Sequence, residues 1–570
     1  MQPVPFSSTK TWNSCDALFS AGFKRVATTK RGFHPRRRES HKNNKAFFTM
    51  NYIFLLLAAV LLVGASASSI VATTGAKRVD DISCGECRDI ISIVYGIDEN
   101  KIAFNTTVEV LVDICKAKFA NDTVRLDECV LLVDFAGLLV PLLFDGMNDL
   151  AWDIPLTFCA DVVKVCKEPC CEAGAPPQEI FINFPDSTDL TQMRATWITL
   201  NETTGAAVQW WLEGSSNIVH VAKETPRTYT AGGWIGVIHS AKMTNLIPDS
   251  TYVYRVGGDV TGWSQNITFK TLPSVIGVPS RPLRVLQLAD MGYAQFSNAT
   301  TAMIAQYVEA GKVDVIIHNG DISYADADEQ HWDLFFNKLQ SSFSRVAYMT
   351  SPGNHELYWN FTAYRARLGM SMPATVPAAG SGAMYYTLQI GPVPFVFLDS
   401  ESWIDTGNID PMQLHWFRTY MNSLNRTATP VVTVAQHRPL YCCECGDILS
   451  AILREQSEQS IINNHVDLHL SGHQHNYQRL YPLINGTLVS TNYTNPNAPV
   501  YVVNGAAGNR EGQMSFNKNA PYYGNGSRQY GFSYLVYSVD EAARTATVDF
   551  EFIESETGAV GDSFTLVKNY

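Results

Sequence analysis

Five apolar segments in the second half of the chain each end in a short cluster of polar residues, and no other feature narrows the possible folds as much. Leu283–Ala289 runs into Asp290-Met-Gly292, and Val313–Asn319 runs into Gly320-Asp321-Ile-Ser-Tyr324. Arg345–Thr350 leads to Gly353-Asn354-His355-Glu356, Val431–Gln436 to His437, and Val466–Ser471 to Gly472-His473-Gln-His475. Apolar runs of this length, alternating with helical stretches, predict buried parallel strands of an α/β domain. In such sheets the loops at the carboxyl ends of the strands converge on one ligand site. Taken singly, each polar residue has an ordinary reading: a loop-capping carboxylate, a core tyrosine, a histidine satisfied by a neighbour. Taken in this order they point to a metal site, because carboxylate and phenolate oxygens suit a hard cation and imidazoles a borderline one.

The rest of the chain has the composition of a folded, multidomain protein. Its 570 residues are 46% hydrophobic and 17% charged, which excludes a disordered, collagenous or coiled-coil chain and suggests about three or four globular units. The formal charge of −12 divides into +8 over residues 1–49 and −20 over residues 50–570. So acidic a body repels a phosphate backbone, and no nucleic-acid partner is expected.

Residues 50–67 read as a secretory signal peptide. Met50 opens an apolar run from Ile53 to Val63 that ends in Gly64 and Ala65-Ser66-Ala67, a small-residue cleavage signal. The run is too short to cross a bilayer, which takes about 20 residues. Residues 1–49 are set aside as an upstream segment, with Met50 the expected start. Export to the extracellular space, or to a lysosomal or vacuolar compartment, accords with ten N-x-S/T sequons, at Asn105, Asn121, Asn201, Asn266, Asn298, Asn360, Asn425, Asn485, Asn492 and Asn525. It also accords with the cysteines, eight of which fall between Cys84 and Cys171 and three at Cys442, Cys443 and Cys445. Such density reads as a disulfide framework in an oxidising compartment, or else as a metal site.

Residues 80–170 read as a helical module. Apolar residues recur at intervals of three and four around Cys115 and between Pro155 and Cys166. Zinc fits poorly, because Cys84 and Cys87 have no second close Cys/His pair. The segment resembles a saposin B-type domain, and that resemblance implies the bridges Cys84–Cys166, Cys87–Cys159 and Cys115–Cys129, with contact to lipid or a membrane surface. The apolar run Val130–Phe144 would supply that surface, or else the core of a small bundle. Cys170 and Cys171 are left unassigned.

From 175 to 275 short alternating segments separated by Gly, Pro, Asn and Asp predict a β-sandwich. It resembles the fibronectin III-like domain that precedes the catalytic domain of plant-type purple acid phosphatases, most closely over Asn245–Gly257. His239 is read there as a strand residue, not a ligand.

The five blocks between Asp290 and His475 are similar to the signature of calcineurin-like metallophosphoesterases in its purple acid phosphatase form, and the resemblance covers residues 175–568. It implies that Asp290, Tyr324 and His475 hold Fe(III), that Asn354, His437 and His473 hold a divalent zinc, iron or manganese ion, and that Asp321 bridges the two. It implies that His355 binds the phosphate or protonates the leaving group of a phosphomonoester. The fold class expected is therefore a saposin-like helical module, a fibronectin III-like sandwich, and an α/β metallophosphoesterase domain over 280–568. One departure stands out: plant-type enzymes carry further histidines shortly after the fourth block, whereas His437 is followed by Arg438-Pro-Leu-Tyr441-Cys-Cys-Glu-Cys-Gly-Asp447. Arg438, Tyr441 and Asp447 are the candidate substitutes, and a disulfide within Cys442, Cys443 and Cys445 is expected to shape the loop. His318, His331, His415, His465 and His469 are read as structural. Two alternatives remain at this level: an acid sphingomyelinase-like lipid phosphodiesterase, against which Tyr324, Asp290-Met-Gly292 and the sandwich all count, and a catalytically inert lipid-binding glycoprotein.

Overall fold

Strands dominate because the apolar segments are rich in Val, Ile, Phe and Tyr and are broken by Gly, Asn and Asp. The computed structural model describes residues 168–570 except 173, 187–188, 202–204, 216–218, 224–225, 274–280, 369–383, 403–408 and 446–447. The signal segment, the helical module with its six cysteines, and Asn105 and Asn121 lie outside the described residues. At the start of the described part, Glu168–Pro169 pairs in parallel with Trp234–Ile235, and the Sγ atoms of Cys170 and Cys171 are 2.8 Å apart.

Residues 178–270 form a sandwich of two antiparallel sheets. Its strands are β1 (Gln178–Asn183), β2 (Met193–Thr199), β3 (Ala207–Leu212), β4 (His220–Ala222), β5 (Val237–Met243), β6 (Thr251–Gly258) and β7 (Ile267–Lys270). One sheet has the order β1-β2-β5 and the other β7-β6-β3-β4. His239 is a buried strand residue, 2.8 Å from Thr199 Oγ1 and stacked on Trp197.

The following domain is two larger sheets face to face. In chain order its elements are β8 (Leu283–Leu288), α1 (Asn298–Glu309), β9 (Val315–Asn319), α2 (Gln330–Phe343), β10 (Ala347–Ser351), α3 (Tyr358–Arg367), β11 (Tyr386–Ile390), β12 (Val393–Phe397), α4 (Pro411–Ser423), β13 (Thr433–Ala435), α5 (Ile448–Asn463), β14 (Leu468–Ser471), β15 (Tyr477–Leu480), β16 (Val500–Asn504), β17 (Tyr523–Ser527), β18 (Gly531–Asp540), β19 (Thr545–Glu554) and β20 (Val560–Asn569). The six-stranded sheet runs β10-β9-β8-β18-β19-β20 and the seven-stranded sheet β11-β12-β13-β14-β16-β15-β17. The parallel trio β8, β9 and β10 is in register through Val285, Val315 and Ala347. The parallel run β12, β13, β14 and β16 is in register through Phe395, Thr433, Leu468 and Val500.

Strand alternation divides the side chains between two cores. Val285, Val315, Ile317, Leu468, Leu470, Val500, Val502 and Phe550 fill the space between the sheets. Leu286, Leu288 and Ile316 face outward and meet α1 and α2. Helix α2 buries Trp332, Phe335, Phe336, Leu339 and Phe343, a stripe at helical spacing whose burial contributes about 1.5–3 kcal/mol per side chain. No helix among the described residues is long and apolar enough to cross a membrane.

A buried polar cluster fastens the sandwich to this domain. Arg367, at the end of α3, donates through Nη1 to Glu179 (2.8 Å), through Nη2 to Asp333 (2.6 Å) and through Nε to the Tyr229 hydroxyl (2.9 Å). Tyr229 donates in turn to Glu329 (2.5 Å), and the guanidinium lies 4.6 Å from the Trp234 ring centre. One cation thus faces three carboxylates out of water. Burial, only partly offset by Arg367, raises the carboxyls of Glu179 and Asp333 and lifts that of Glu329 to about 7, with repulsion by Asp333 adding to the rise at Glu179 and Glu329.

Candidate metal centre

Every motif residue of the five blocks lies just beyond the carboxyl end of a parallel strand, where the chain must turn sharply. Asp290 follows β8, Asp321 and Tyr324 follow β9, Asn354 and His355 follow β10, His437 follows β13, and His473 and His475 follow β14. The turns are tight enough to force left-handed backbone at Asp290, Asp321, Tyr324 and His473, with φ of 59°, 51°, 52° and 69°. Each such residue costs about 1–2 kcal/mol, strain of the kind that gathers at functional sites. Two glycines permit the close approach. A Cβ on Gly353 would collide with Asp321 Oδ1, and one on Gly472 would lie 2.5 Å from Asp290 Oδ2.

These loops bring seven side chains together. Potential ligand atoms of Asp290, Asp321 and His475 lie within 4.8 Å of one another, as do those of Asp321, His437 and His473, so Asp321 belongs to both clusters. The Tyr324 hydroxyl joins the first, 3.3 Å from Asp290 Oδ1 and 3.1 Å from His475 Nε2. Asn354 joins the second, its Oδ1 3.0 Å from His437 Nε2. His437 is oriented from behind by Nδ1, 2.8 Å from the Asn319 carbonyl, which leaves Nε2 for a cation.

The donor set fits a pair of metal ions. Asp321 Oδ2 is buried without a hydrogen-bond donor, 3.2 Å from His437 Nε2, and an orphaned carboxylate oxygen in this position calls for positive charge. Desolvation disfavours ionised Asp321, yet His437 and His355 hold it well below the ordinary carboxylate range. For Tyr324, burial first and then Asp290 and Asp321 push the phenol well above its usual value. The protein alone therefore keeps Tyr324 protonated, and only a strongly polarising cation among these oxygens would make it a phenolate.

His355 stands beside the clusters. Its Nδ1 is 2.5 Å from Asp326 Oδ1, and its Nε2 is 3.9 Å from Asp321 Oδ2 and 3.5 Å from Glu511 Oε1. Arg510 donates to the other oxygen of Asp326 at 2.5 Å. Against the penalty of burial, Asp326 and Asp321 hold the imidazole in its charged form. Glu356 ties two of the loops, accepting from the backbone N–H groups of Asp321 (2.9 Å), Ile322 (2.9 Å) and Gly353 (2.7 Å).

Sequence reasoning passed over Asp326, Arg510 and Glu511, and gave Glu356 no role of its own within its motif. For Arg510 and Glu511 a signal was present: the apolar strand Val500–Asn504 followed by Gly505-Ala-Ala-Gly-Asn-Arg-Glu511 repeats the strand-then-polar-loop pattern a sixth time. Of the three substitutes for the absent histidines, Asp447 lies outside the described residues. Tyr441 is bonded to Glu458 and to the Gly486 amide. Arg438 reaches the centre, with Nη1 2.9 Å from His473 Nε2. Cys442 and Cys445 form a disulfide, and Cys443 is buried beside it. His318, His331, His415, His465 and His469 join neither cluster. Of the sequon asparagines, Asn201, Asn266, Asn298, Asn360, Asn425, Asn485 and Asn492 are exposed, whereas Asn525 is half-buried with its amide donating to Asp562.

Three family models match in tandem: purple acid phosphatase, N-terminal domain, over residues 177–271; calcineurin-like phosphoesterase over 283–477; and iron/zinc purple acid phosphatase-like protein C over 498–563. Acid phosphatase type 7 of Danio rerio is 29% identical over 431 residues, covering 69% of this chain and 92% of the relative. Purple acid phosphatase 22 of Arabidopsis thaliana is 30% identical over 292 residues, covering 50% and 62%. The solved structure of a purple acid phosphatase from yellow lupin (Lupinus luteus) seeds superposes with a TM-score of 0.60 at 22% identity, covering 70% of this chain and 75% of that one, which shows the shared fold. With its sandwich, its paired sheets and its ligand loops in this order, the chain belongs to the purple acid phosphatase family and carries a calcineurin-like metallophosphoesterase domain.

Proposed function

We propose that the protein is an acid phosphatase that hydrolyses phosphate monoesters at a binuclear metal centre. The observation that carries this reading is the sharing of the buried, underbonded Asp321 between two ligand clusters. Asp290, Tyr324 and His475 are the ligands for Fe(III), and Asn354, His437 and His473 those for a divalent zinc, iron or manganese ion. The donor chemistry supports this division, with phenolate and carboxylate on one side and imidazoles with an amide oxygen on the other. The chemistry such a pair supplies is Lewis-acid polarisation of the phosphoryl group and activation of a water.

The chain's own residues do the rest. His355 presents Nε2–H toward the centre while Asp326 and Arg510 fix its other face, so it is placed to give a proton to the departing alkoxide. Glu511 closes one side of the site beside His355 and His475. The N-terminal reading belongs to the same proposal: a signal peptide over 50–67, glycosylation at the exposed sequons, and a saposin-like module that contacts lipid without entering the chemistry.

The test is residues 68–570 secreted from a eukaryotic host, analysed for metal and assayed at acid pH on phosphomonoesters and on phosphocholine lipids. Two metals per chain, a visible charge-transfer band that Tyr324→Phe abolishes, and monoester turnover are expected. An iron-loaded Tyr324→Phe protein with unchanged colour refutes the iron ligand set. Faster turnover of the phosphocholine lipid replaces the monoesterase by the diesterase.

A further inference from the structure

Three consecutive residues, none of them glycine, run left-handed just after the His355 motif. Trp359, Asn360 and Phe361 have φ of 46°, 57° and 58°, a conformation costly for any residue with a side chain that persists only where its surroundings over-determine it. The turn that carries Asp326 is strained in the same way, with φ of 48° at Asp326 and 77° at Ala327. The first segment continues the loop that bears His355, and the second supplies the carboxylate 2.5 Å from His355 Nδ1. The orientation of one imidazole thus depends on two strained turns.

Both turns are braced by the sandwich. The loop ahead of β5 inserts Gly232, buried and left-handed at φ 59°, into the place where they meet. A Cβ on Gly232 would lie 2.8 Å from Trp359 Cη2, 2.9 Å from the Ala327 carbonyl oxygen and 2.9 Å from Glu329 Cγ. Backbone alone therefore fills this space, and only glycine fits it in this conformation. Three residues earlier in the same loop, the Tyr229 hydroxyl donates to Glu329 at 2.5 Å, tying down the chain just beyond Asp326 and Ala327. We infer that the sandwich loop Tyr229–Trp234 is a positioning element for the proposed proton donor: it wedges the two turns so that Asp326 stays on His355 Nδ1 and Nε2–H stays aimed at the leaving oxygen. This inference rests on the reading of His355 above. It gives the sandwich a part in the reaction, that of aligning a proton transfer without touching the substrate.

The experiment uses the metal-loaded secreted chain and measures kcat on phosphomonoesters graded from aryl to alkyl leaving groups, with metal content for every variant. Gly232→Ala overfills the junction and Trp359→Ala empties it. Val256→Ala, in the sandwich core, destabilises the same domain elsewhere. Misplacement by about 1 Å costs about 100-fold, and the partial shift expected here about 10-fold. Gly232→Ala and Trp359→Ala are expected to lose about 10-fold in kcat on alkyl phosphates and almost nothing on aryl esters with good leaving groups, with both metals retained. Val256→Ala should keep the wild-type dependence on leaving group. In a His355→Asn background the Gly232→Ala change should add no further loss, because the two act on one step. If Gly232→Ala does not fold, Trp359→Ala, at a half-buried position, decides the matter alone and in the same background. Wild-type leaving-group dependence in a folded, metal-loaded junction variant overturns the inference. So does an equal change in Val256→Ala, a loss additive to that of His355→Asn, or loss of metal from the junction variants. A His355→Asn protein without leaving-group dependence strikes the proton-donor reading instead.

Discussion

Replacing Glu329 by glutamine should flatten the pH dependence of stability in a calculable direction. Glu329 is buried at the joint between sandwich and catalytic domain, and burial lifts its carboxyl from an ordinary 4.5 to about 7. Between those values the folded chain holds a proton that the unfolded chain has released. Stability from this group is therefore full below about pH 4.5, falls as pH rises, and is lost above about 7. At about 1.4 kcal/mol per pH unit the change is about 3 kcal/mol. Glutamine mimics the protonated acid and keeps an oxygen for the Tyr229 hydroxyl, so the variant should lose about 2.5 kcal/mol less than the wild type between pH 5 and pH 8. Glu179 and Asp333, also raised, titrate in both proteins, and because Asp333 repels Glu329 they titrate slightly more easily in the variant. Urea unfolding followed by the fluorescence of tryptophans such as Trp234 and Trp332, both buried at this joint, reports it directly. Equal losses in the two proteins would refute the reasoning, as would a wild type that grows more stable toward pH 8.

Removing the proposed general acid with His355→Asn should lower kcat by about 10²–10⁴ on alkyl phosphates and much less on esters with good leaving groups; a uniform loss would assign His355 to binding. Asp326→Asn should reproduce the same leaving-group dependence more weakly, measured on the same ester series. Gly353→Ala should fold yet lose metal, because its methyl group displaces Asp321; two metals per chain in that variant would contradict the packing described. Deleting residues 80–170 should leave turnover of a small soluble monoester nearly intact while weakening sedimentation with liposomes, and a folded, metal-loaded truncation without activity would place the module in the active site.

The five blocks were legible because each is local: an apolar strand and its polar terminus are neighbours in the chain, and the ligand types speak for themselves. Asp326 was less visible, one acid among Asp326, Asp328 and Glu329, and nothing local distinguishes the one that meets His355. Arg438 stood in the right loop, but only the packing of Ser400 and Glu401 from a separate strand end separates it from Tyr441. The joint around Arg367 was illegible for a stronger reason. Its partner Glu179 is 188 residues away, and both read as surface charges until the sandwich is docked.

The split of the proposed ligands between the two sheets changes what counts as an active-site residue. Asp290, Asp321, Tyr324 and Asn354 hang from the six-stranded sheet, and His437, His473 and His475 from the seven-stranded one. Oxygen donors and imidazoles meet only because a layer of Val285, Ile317, Leu470 and Val502 sets the gap between the sheets. Close-packed interiors transmit a change of a single methylene, so a swap such as Val502→Ile acts as a spacer that retunes every distance from carboxylate to imidazole at once. The spacing of the proposed ligands is thus expected to respond to substitutions in the hydrophobic interior. A search for variants with altered metal use has as much to gain from that layer as from the ligands.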